Sequence, residues 1–336
     1  LISKEEFKEV SELFKKSKTL FRMGFEKNRR GIYKVKEFER NFSRFLGVNY
    51  SLGVTSGTAA LRVALSTLNL KPGDEIITQA FTFVATVEAI VESKCIPVFT
   101  EIDETLNMSP DDLRKKITKK TKAVIVTHTY GFPCNMDQIV KICKKNKIII
   151  IEDAAEMVGQ TYNGKPCGSF GEISIISMYA NKHITTGEGG IILTNKKKFY
   201  EKACSLRNLS FGNKNRFNHQ DIGWNYRFTN MQAALGLSQL KRIKNIVKKK
   251  RIIGNYYYNQ FKNNKKILVQ PPTLNKEKNI YWIFGILIND NKFKKEDVIK
   301  KLLKLGIQCR DFFWPMHKQK IFIQQKTFKK EKFPVA

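Results

Sequence analysis

The stretch Ser177–Gly190, SMYANKHITTGEGG, holds Lys182 among small and apolar residues and ends in a flexible, glycine-rich turn. Upstream, Ile148–Glu156 reads IIIIEDAAE, so Asp153 follows directly on a predicted buried strand. Open α/β sheets carry their working residues at such strand ends. A desolvated lysine forms Schiff bases, and an aspartate facing a pyridinium nitrogen makes pyridoxal phosphate (PLP) an electron sink. Together the two segments predict a PLP enzyme with Lys182 and Asp153 as catalytic residues.

Strand and helix patterns alternate around this core. Candidate strands are predicted at Ser51–Thr55, Asp74–Thr78, Cys95–Asp103, Ala123–Gly131, Ile148–Ile151, Ile173–Ser177 and Gly190–Thr194. Strands that alternate with helices imply a mainly parallel sheet covered by helices on both faces. The sequence therefore predicts an α/β fold with a mainly parallel, seven-stranded sheet.

The C-terminal part has a different pattern. The pair Thr229-Asn230 is a good N-cap and opens a long predicted helix, which leaves the large domain near residue 240. Beyond it lie a candidate strand at Ile280–Ile288 and a candidate helix at Lys295–Leu305. We predict that residues 1–240 form N-terminal helices and a large PLP-binding domain, and that residues 241–336 form a smaller α+β domain.

Charge, apolar runs and cysteine spacing indicate which classes of protein this chain can belong to. The 336 residues include 61 Lys and Arg against 30 Asp and Glu, a net charge of +31. Such charge either reflects a lysine-biased proteome or attracts nucleic acid, a membrane surface or a polyanionic substrate such as a nucleotide diphosphate sugar. The lysines are scattered and lack interleaved aromatic residues, so a nucleic-acid-binding regulator is only a remote alternative. No segment reaches the roughly 18 apolar residues of a membrane span. The six cysteines form no CxxC pair, which predicts reduced thiols in the cytoplasm and no metal site.

Several other residues are candidates for binding a cofactor. Thr55-Ser56-Gly57-Thr58 joins a strand to a helix, where amides and hydroxyls hold a phosphate, although Ser and Thr also simply cap helices. Ser177 lies on the strand that leads to Lys182 and would reach the same phosphate. Phe83 follows a strand end and either stacks on a flat ring or fills the core.

Three histidines are candidates for the substrate site. His128 ends a predicted buried strand, and His317 lies in the aromatic loop FFWPMHKQ (Phe312–Gln319). His183 follows Lys182 directly, and it either acts in catalysis or makes only a local hydrogen bond.

Seven segments in this order resemble the DegT-type sugar aminotransferase family, which has the fold type I of aspartate aminotransferase. They are SGTAAL (Ser56–Leu61), GDEIITQAFTFVAT, IPVFTEID, THTYGFPCNMD, IEDAAE, SMYANKHITTGEGG and IGWNYRFTNMQAALGLSQL. Within the family, ANKHITTGEGG, RFNHQDIGWNYRFTN and FFWPMHKQ are most similar to the GDP-perosamine synthases, which aminate a 4-keto-6-deoxy sugar nucleotide.

The resemblance implies roles residue by residue. Lys182 would bind the cofactor aldehyde and later move the proton, and Asp153 would pair with the pyridine nitrogen. Phe83 would cover the ring, and Glu156 would lie near the ring hydroxyl. The phosphate would be held by Gly57, Thr58 and Ser177, with Asn225 reaching the phosphate of the neighbouring subunit. The sugar nucleotide would be bordered by Phe313, Trp314 and His317.

The resemblance also implies a function and its limits. It implies a homodimer with shared active sites that uses glutamate as amino donor, passes through pyridoxamine phosphate, and serves surface glycan biosynthesis. His183 replaces the Thr or Asn more common after the lysine. Related dehydratases have histidines near this position but replace the lysine itself, so a retained Lys182 favours amino transfer and leaves a dehydratase as the alternative. The family continues some tens of residues past HKQ, so the end of the small domain is expected to be missing.

Overall fold

A computed structural model describes residues 2–17, 19–20, 22, 24–212, 215–290, 292–328 and 331–336. Its strands are β1 (Tyr50–Val54), β2 (Glu75–Gln79), β3 (Ile96–Thr100), β4 (Thr121–Thr127), β5 (Ile149–Asp153), β6 (Thr161–Tyr162), β7 (Lys165–Pro166), β8 (Ile173–Ser177), β9 (Gly190–Thr194), β10 (Ile267–Val269), β11 (Thr273–Leu274), β12 (Glu277–Lys278) and β13 (Ile286–Ile288).

The helices complete the element order. They are α1 (Lys4–Lys16), α2 (Glu26–Arg29), α3 (Lys34–Leu46), α4 (Gly57–Ser66), α5 (Val84–Glu92), α6 (Pro110–Lys116), α7 (Met136–Lys145), α8 (Lys197–Arg207), α9 (Asn230–Lys241), α10 (Ile243–Phe261), α11 (Lys295–Lys304) and α12 (Lys320–Gln324), with a 3₁₀ turn at Met316–Lys318. None of the described helices combines the length and the apolar character needed to cross a bilayer.

A seven-stranded sheet forms the centre of the fold, in the spatial order β1-β9-β8-β5-β4-β2-β3. Strands β8, β5, β4, β2 and β3 are parallel, and β9 is antiparallel to both of its neighbours. The carboxyl ends of β1, β8, β5 and β4 therefore meet at one edge of the sheet. The predicted α/β fold with a mainly parallel, seven-stranded sheet is confirmed.

Helices cover both faces of the sheet because its strands are apolar on both sides. Successive side chains of a strand point to opposite faces. Ile151 packs in the core shared with α4, α5 and α8, whereas its neighbour Ile150 packs against α6 and α7. Helices α3 and α9 cover the part of that second face formed by β8 and β9. The resulting core holds the strand ends, and hence the site residues, in fixed positions.

The C-terminal part differs from the prediction in two places. The predicted long helix is two helices, α9 and α10, because the helical conformation is interrupted at Arg242. The guanidinium of Arg242 pairs with the buried Glu6 of α1. The predicted strand Ile280–Ile288 is a strand only at its end, where β13 pairs with β10. Its first residues are held against the large domain instead, with the Ile280 amide donating to the Gly131 carbonyl at 3.0 Å. The break lies close to the predicted boundary at residue 240, and the division into two domains stays a prediction.

Candidate active site

The start of α4 lies directly against the end of β8. A Cβ atom at Gly57 would lie 2.9 Å from the Cβ of Ser177, so only glycine permits this approach. The Ser56 hydroxyl caps the helix by accepting from the Ala59 amide at 3.0 Å. Among the described residues, the amides of Gly57 and Thr58 have no acceptor. Free amides at a helix start beside a serine hydroxyl are the donors that bind a phosphate.

Asp153 lies at the end of β5 and is 3% exposed. Its carboxylate accepts hydrogen bonds from the Thr86 hydroxyl at 2.9 Å and from the Ala155 amide at 3.2 Å. In the described part of the chain it has no ion-pair partner. Burial raises the pKa of Asp153, because the charged form loses its hydration. A positively charged group, such as a protonated ring nitrogen, is what this buried carboxylate lacks.

Lys182 is 9% exposed, and its Nζ atom lies 3.8 Å from Oε1 of Glu156. Burial lowers the pKa of Lys182, which makes a neutral, nucleophilic amine easier to form. Burial also raises the pKa of Glu156 to about 7, although its other oxygen accepts from the Tyr130 amide at 2.7 Å. Burial therefore favours the neutral form of both groups, which suits a pair that must take up and release protons.

Aromatic side chains form one border of the site. The ring of Phe83 is 51% exposed, and its centroid lies 5.4 Å from that of Phe313. The exposure of Phe83 rules out the alternative that it fills the core. The Phe313 amide donates to the hydroxyl of Tyr130 at 2.8 Å, which holds the C-terminal loop beside the sheet edge. Trp314 follows, and its ring is 60% exposed.

The structure does not bring His128 to a surface that a substrate reaches. The ring is fully buried; its Nδ1 accepts from the Cys134 amide at 3.0 Å and its Nε2 faces Glu152 at 2.9 Å. Glu152 is buried as well, and a buried carboxylate needs hydrogen-bond donors. Besides the His128 ring, the amides of Gly168, Phe170 and Gly171 donate to it. The potential metal-ligand atoms of His128, Glu152 and Cys167 lie within 4.8 Å of one another. Both nitrogens of the His128 ring already have hydrogen-bond partners, so neither is free to bind a metal ion.

The rings of the other two histidines make no described hydrogen bond to Lys182 or Asp153. His183 is 1% exposed, and its Nε2 lies 3.4 Å from the Ile280 carbonyl, which is the local hydrogen bond of the second alternative. Burial lowers the pKa of His183 to about 4, so the ring is neutral at physiological pH. The ring of His317 packs on Phe333 at 4.9 Å, and neither Lys182 nor Asp153 is among its described contacts.

Asn225 is exposed and forms a backbone bridge with Asn208. It makes no described contact with Gly57, Thr58 or Ser177 of its own chain. This placement leaves its side chain available to another subunit.

Sequence reasoning missed three residues of the site. Thr86 follows Phe83 by one helical turn, and that spacing was a usable signal. Tyr130 lies in the quoted segment THTYGFPCNMD, where nothing marks it as the anchor of a distant loop. Trp282 contacts the Lys182 amine with its ring face, and it was hidden within an apparent strand.

Comparison with known proteins agrees with this geometry. The sequence model of the DegT/DnrJ/EryC1/StrS aminotransferase family matches residues 5–336. The chain belongs to this family. A GDP-perosamine synthase of Escherichia coli O157:H7 is 38% identical over 304 residues, which are 90% of this chain and 81% of that enzyme.

Solved structures show the same fold. The aminotransferase PseC of Helicobacter pylori, involved in pseudoaminic acid biosynthesis, superposes with a TM-score of 0.89 at 30% identity, covering 100% of this chain and 88% of that one. The E. coli GDP-4-keto-6-deoxy-D-mannose-3-dehydratase, solved with hydrated PLP bound, has a TM-score of 0.85 at 27% identity, covering 97% and 87%. The protein is a PLP-dependent aminotransferase of the DegT type.

The described residues fit PLP. The uncapped amides and Ser177 offer donors for its phosphate, Asp153 lacks a cationic partner, and Lys182 is a buried amine. At Gly57 there is no room for a Cβ between the start of α4 and the end of β8. We identified no other cluster in the described part of the chain with this combination of groups.

Proposed function

We propose that this enzyme transfers an amino group from glutamate to the keto carbon C4 of a 4-keto-6-deoxyhexose nucleotide, as a GDP-perosamine synthase does. The observation that carries the proposal is the buried Lys182 amine beside Glu156, with the unpaired carboxylate of Asp153 in the same site. The 38% identity to a GDP-perosamine synthase supports the choice of substrate.

Each site residue then has a task. PLP supplies the electron sink that stabilises a carbanion next to the transferred nitrogen. Asp153 would hold the ring nitrogen in its protonated form, because a buried carboxylate is stable only beside a positive charge. The amides of Gly57 and Thr58, with Ser177, would bind the phosphate, and Phe83 would cover the ring.

Lys182 and Glu156 would accept and donate the protons that move during the reaction. Because burial lowers its pKa, Lys182 would supply a neutral amine that takes a proton from the donor carbon in the glutamate half-reaction. In the second half-reaction its ammonium form would give a proton to the sugar carbon. Glu156, whose pKa is about 7, would take up or release the proton that the ammonium form carries in excess. Both groups are buried, so water does not compete for the transferred proton.

The sugar nucleotide would lie against Phe313 and Trp314, which border the site next to Phe83. The net charge of +31 favours the approach of a nucleotide diphosphate. His317 packs on Phe333, so we assign it at most an indirect part in this surface.

We propose a homodimer in which Asn225 completes the partner's phosphate site. The loop that contains Asn225 also exposes Phe217 (76%) and Ile222 (86%), and exposed apolar residues mark surfaces that another chain covers.

We also propose a cytoplasmic location and a role in surface glycan biosynthesis. Four of the six cysteines are buried as free thiols, the state that a reducing compartment maintains.

The dehydratase alternative has less support. It relied on His183, which is turned toward the Ile280 carbonyl and is neutral at physiological pH. Retention of Lys182 also favours amino transfer. No feature of the residues that the structure describes favours the nucleic-acid-binding alternative.

The test is turnover of purified protein with glutamate and a panel of keto-sugar nucleotides carrying GDP, UDP or dTDP. We expect ¹⁵N from labelled glutamate in the sugar product with a GDP-linked 4-keto-6-deoxyhexose, and none with Lys182→Ala. Loss of a sugar hydroxyl without ¹⁵N incorporation would establish the dehydratase instead.

A further inference from the structure

Trp282 lies against the reactive amine, although no role in the reaction follows from the residues discussed so far. The Nζ atom of Lys182 is 3.7 Å from the centroid of its ring. The indole is 8% exposed, and its Nε1 is buried without a hydrogen-bond partner among the described residues. A cation over an aromatic face is attracted by the ring quadrupole, and more strongly when both groups are shielded from water.

The segment that carries Trp282 is fixed from two sides. From α10, Lys250 donates to the Trp282 carbonyl at 3.2 Å, and Arg251 donates to the Asn279 carbonyl at 3.2 Å. From the large domain, the Gly131 carbonyl accepts from the Ile280 amide at 3.0 Å.

Tyr281, just before Trp282, has a left-handed backbone with φ of 50°. Its amide donates to the Asn279 side chain at 2.8 Å, and its ring lies so close to Gly254 that a Cβ there would approach within 2.3 Å. Left-handed backbone in a bulky residue persists only where its surroundings enforce it, and such residues concentrate at functional sites. These contacts therefore hold the segment, and with it the indole, in one conformation.

The charged groups that act on the amine are two carboxylates. Glu156 lies 3.8 Å away, and Asp153 acts on Lys182 from the end of β5. His183 is adjacent in sequence and neutral, and Lys250 approaches the far side of the segment through the Trp282 carbonyl. In the described part of the chain, Trp282 provides the sole aromatic face in contact with the Lys182 amine.

We propose that Trp282 is a positioning residue whose indole face holds the free amine of Lys182 beside Glu156 while the amine is not joined to the cofactor. The inference rests on the proposed function, in which Lys182 is released and then carries a proton. A lysine side chain without such a contact samples many rotamers, and proton transfer needs the amine at one place.

The test measures the free amine directly. The full-length protein, loaded with pyridoxamine phosphate so that Lys182 is free, is modified with an acylating reagent across a pH series, and the rate at each lysine is read by peptide mass mapping. Loss of the indole destabilises the ammonium form, so Trp282→Leu should move the pH midpoint of Lys182 downward. The unprotonated fraction below the midpoint should rise roughly three- to thirtyfold. Trp282→Phe, which keeps a weaker ring face, should fall between. Lys197, a surface lysine, is the internal control and should not move.

Fluorotryptophan gives a second measurement that keeps the shape of the site. Replacing all three tryptophans with 5-fluorotryptophan weakens the ring quadrupole, and Trp282 is the one in contact with Lys182. The midpoint should again fall. An unchanged midpoint in the fluorinated protein and in folded Trp282→Phe would overturn the proposal, even if Trp282→Leu failed to fold.

The outcomes separate this inference from the proposed function. No sugar nucleotide is present in the modification experiment, so a shifted midpoint without any sugar amination would sink the function and leave the positioning role standing. Turnover adds a further readout: Trp282→Phe should lower kcat while leaving KM for the sugar nucleotide nearly unchanged. A rise in KM alone would contradict a positioning role.

Discussion

Asp153, Glu156 and Lys182 acquire their chemistry from burial rather than from residue type. Each is less than one-tenth exposed, and burial disfavours the charged form of each. In a chain with 61 basic residues, that environment is what distinguishes Lys182 from the lysines of the surface.

Replacing Asp153 should stop catalysis while leaving the fold intact. In Asp153→Asn a neutral amide replaces the carboxylate and cannot stabilise a protonated ring nitrogen. We therefore expect kcat to fall about a hundredfold or more. Stopped-flow measurement of the glutamate half-reaction checks this. Thr86→Val is the matched control, because it removes one hydrogen bond to the carboxylate and should cost about tenfold at most. Equal losses in both variants would contradict the assignment.

Glu156 should make the stability of the cofactor-free protein depend on pH. Its pKa is raised from 4.5 to about 7, so the folded state holds a proton that the unfolded state has released between these values. This contribution to stability is therefore lost as pH rises through that window, by up to roughly 3 kcal/mol. Relative to wild type, Tm of Glu156→Gln should rise between pH 5 and pH 8. Tm of the exposed control Glu188→Gln should follow wild type, and a flat Glu156→Gln difference would refute the raised pKa.

At the scale of elements, the site depends on how closely helices approach strand ends. The first turn of α4 meets β8 at Gly57 and Ser177, and α8 is joined to α3 and β1 by a buried ion pair. These contacts join segments that are far apart in sequence, and they set distances that no single element determines.

Gly57→Ala should separate α4 from β8. The added Cβ would lie 2.9 Å from that of Ser177, so we expect a loss of about 1–3 kcal/mol in stability and weaker PLP binding. The double variant Gly57→Ala/Ser177→Gly removes the clash and should recover stability without recovering PLP affinity. Calorimetry and PLP titration check both points, and full recovery of affinity would show that the Ser177 hydroxyl is not a phosphate ligand.

The ion pair of Arg207 with Glu39 should be important for stability. The two groups are 2.7 Å apart and buried, and Glu39 also accepts from the Gly53 amide at 2.9 Å. Glu39→Ala leaves a buried cation unpaired and should cost roughly 3–5 kcal/mol in denaturant unfolding. Breaking the exposed pair Lys197–Glu201 by Glu201→Gln should cost less than about 1 kcal/mol. Similar losses in the two variants would mean that burial is not the cause.

At the scale of the whole molecule, the proposal requires two chains. Asn225 has no described contact with the site of its own chain, and its loop exposes Phe217 and Ile222. A two-fold axis would bring the same loop of each subunit to the site of the other.

Mixing two inactive variants should therefore restore activity. Lys182→Ala lacks the amine, and Asn225→Asp repels a phosphate in the partner's site. A mixed dimer has one site free of both changes, so an equal mixture should regain about a quarter of wild-type turnover after subunit exchange. Native mass spectrometry confirms the exchange. Exchange without recovery would show that each subunit has a complete site.

Local patterns predicted the sheet because strand periodicity depends on nearby residues, and patterns of the same kind singled out Asp153 and Lys182 as candidates. The isoleucine run before Asp153 and the small residues around Lys182 are visible within a few positions. The break in the helix at Arg242 was not predicted, and the Glu6 carboxylate that pairs with Arg242 lies more than two hundred residues away in sequence. The burial of His128 was not predicted either, because its ring is held by the buried Glu152 of a strand that becomes its neighbour only in the folded sheet.

The sequence by itself determined the strand and helix pattern, the parallel sheet, and the presence of a lysine and a carboxylate suited to PLP. Only the tertiary structure decided what surrounds them. In the folded chain the His183 ring faces the Ile280 carbonyl, His128 is buried and Phe83 is exposed. The ring of Trp282 contacts the Lys182 amine. The physical reason is that periodicity and strand-end position are local properties, whereas burial, pKa and ring contacts arise between segments that meet only when the chain is folded.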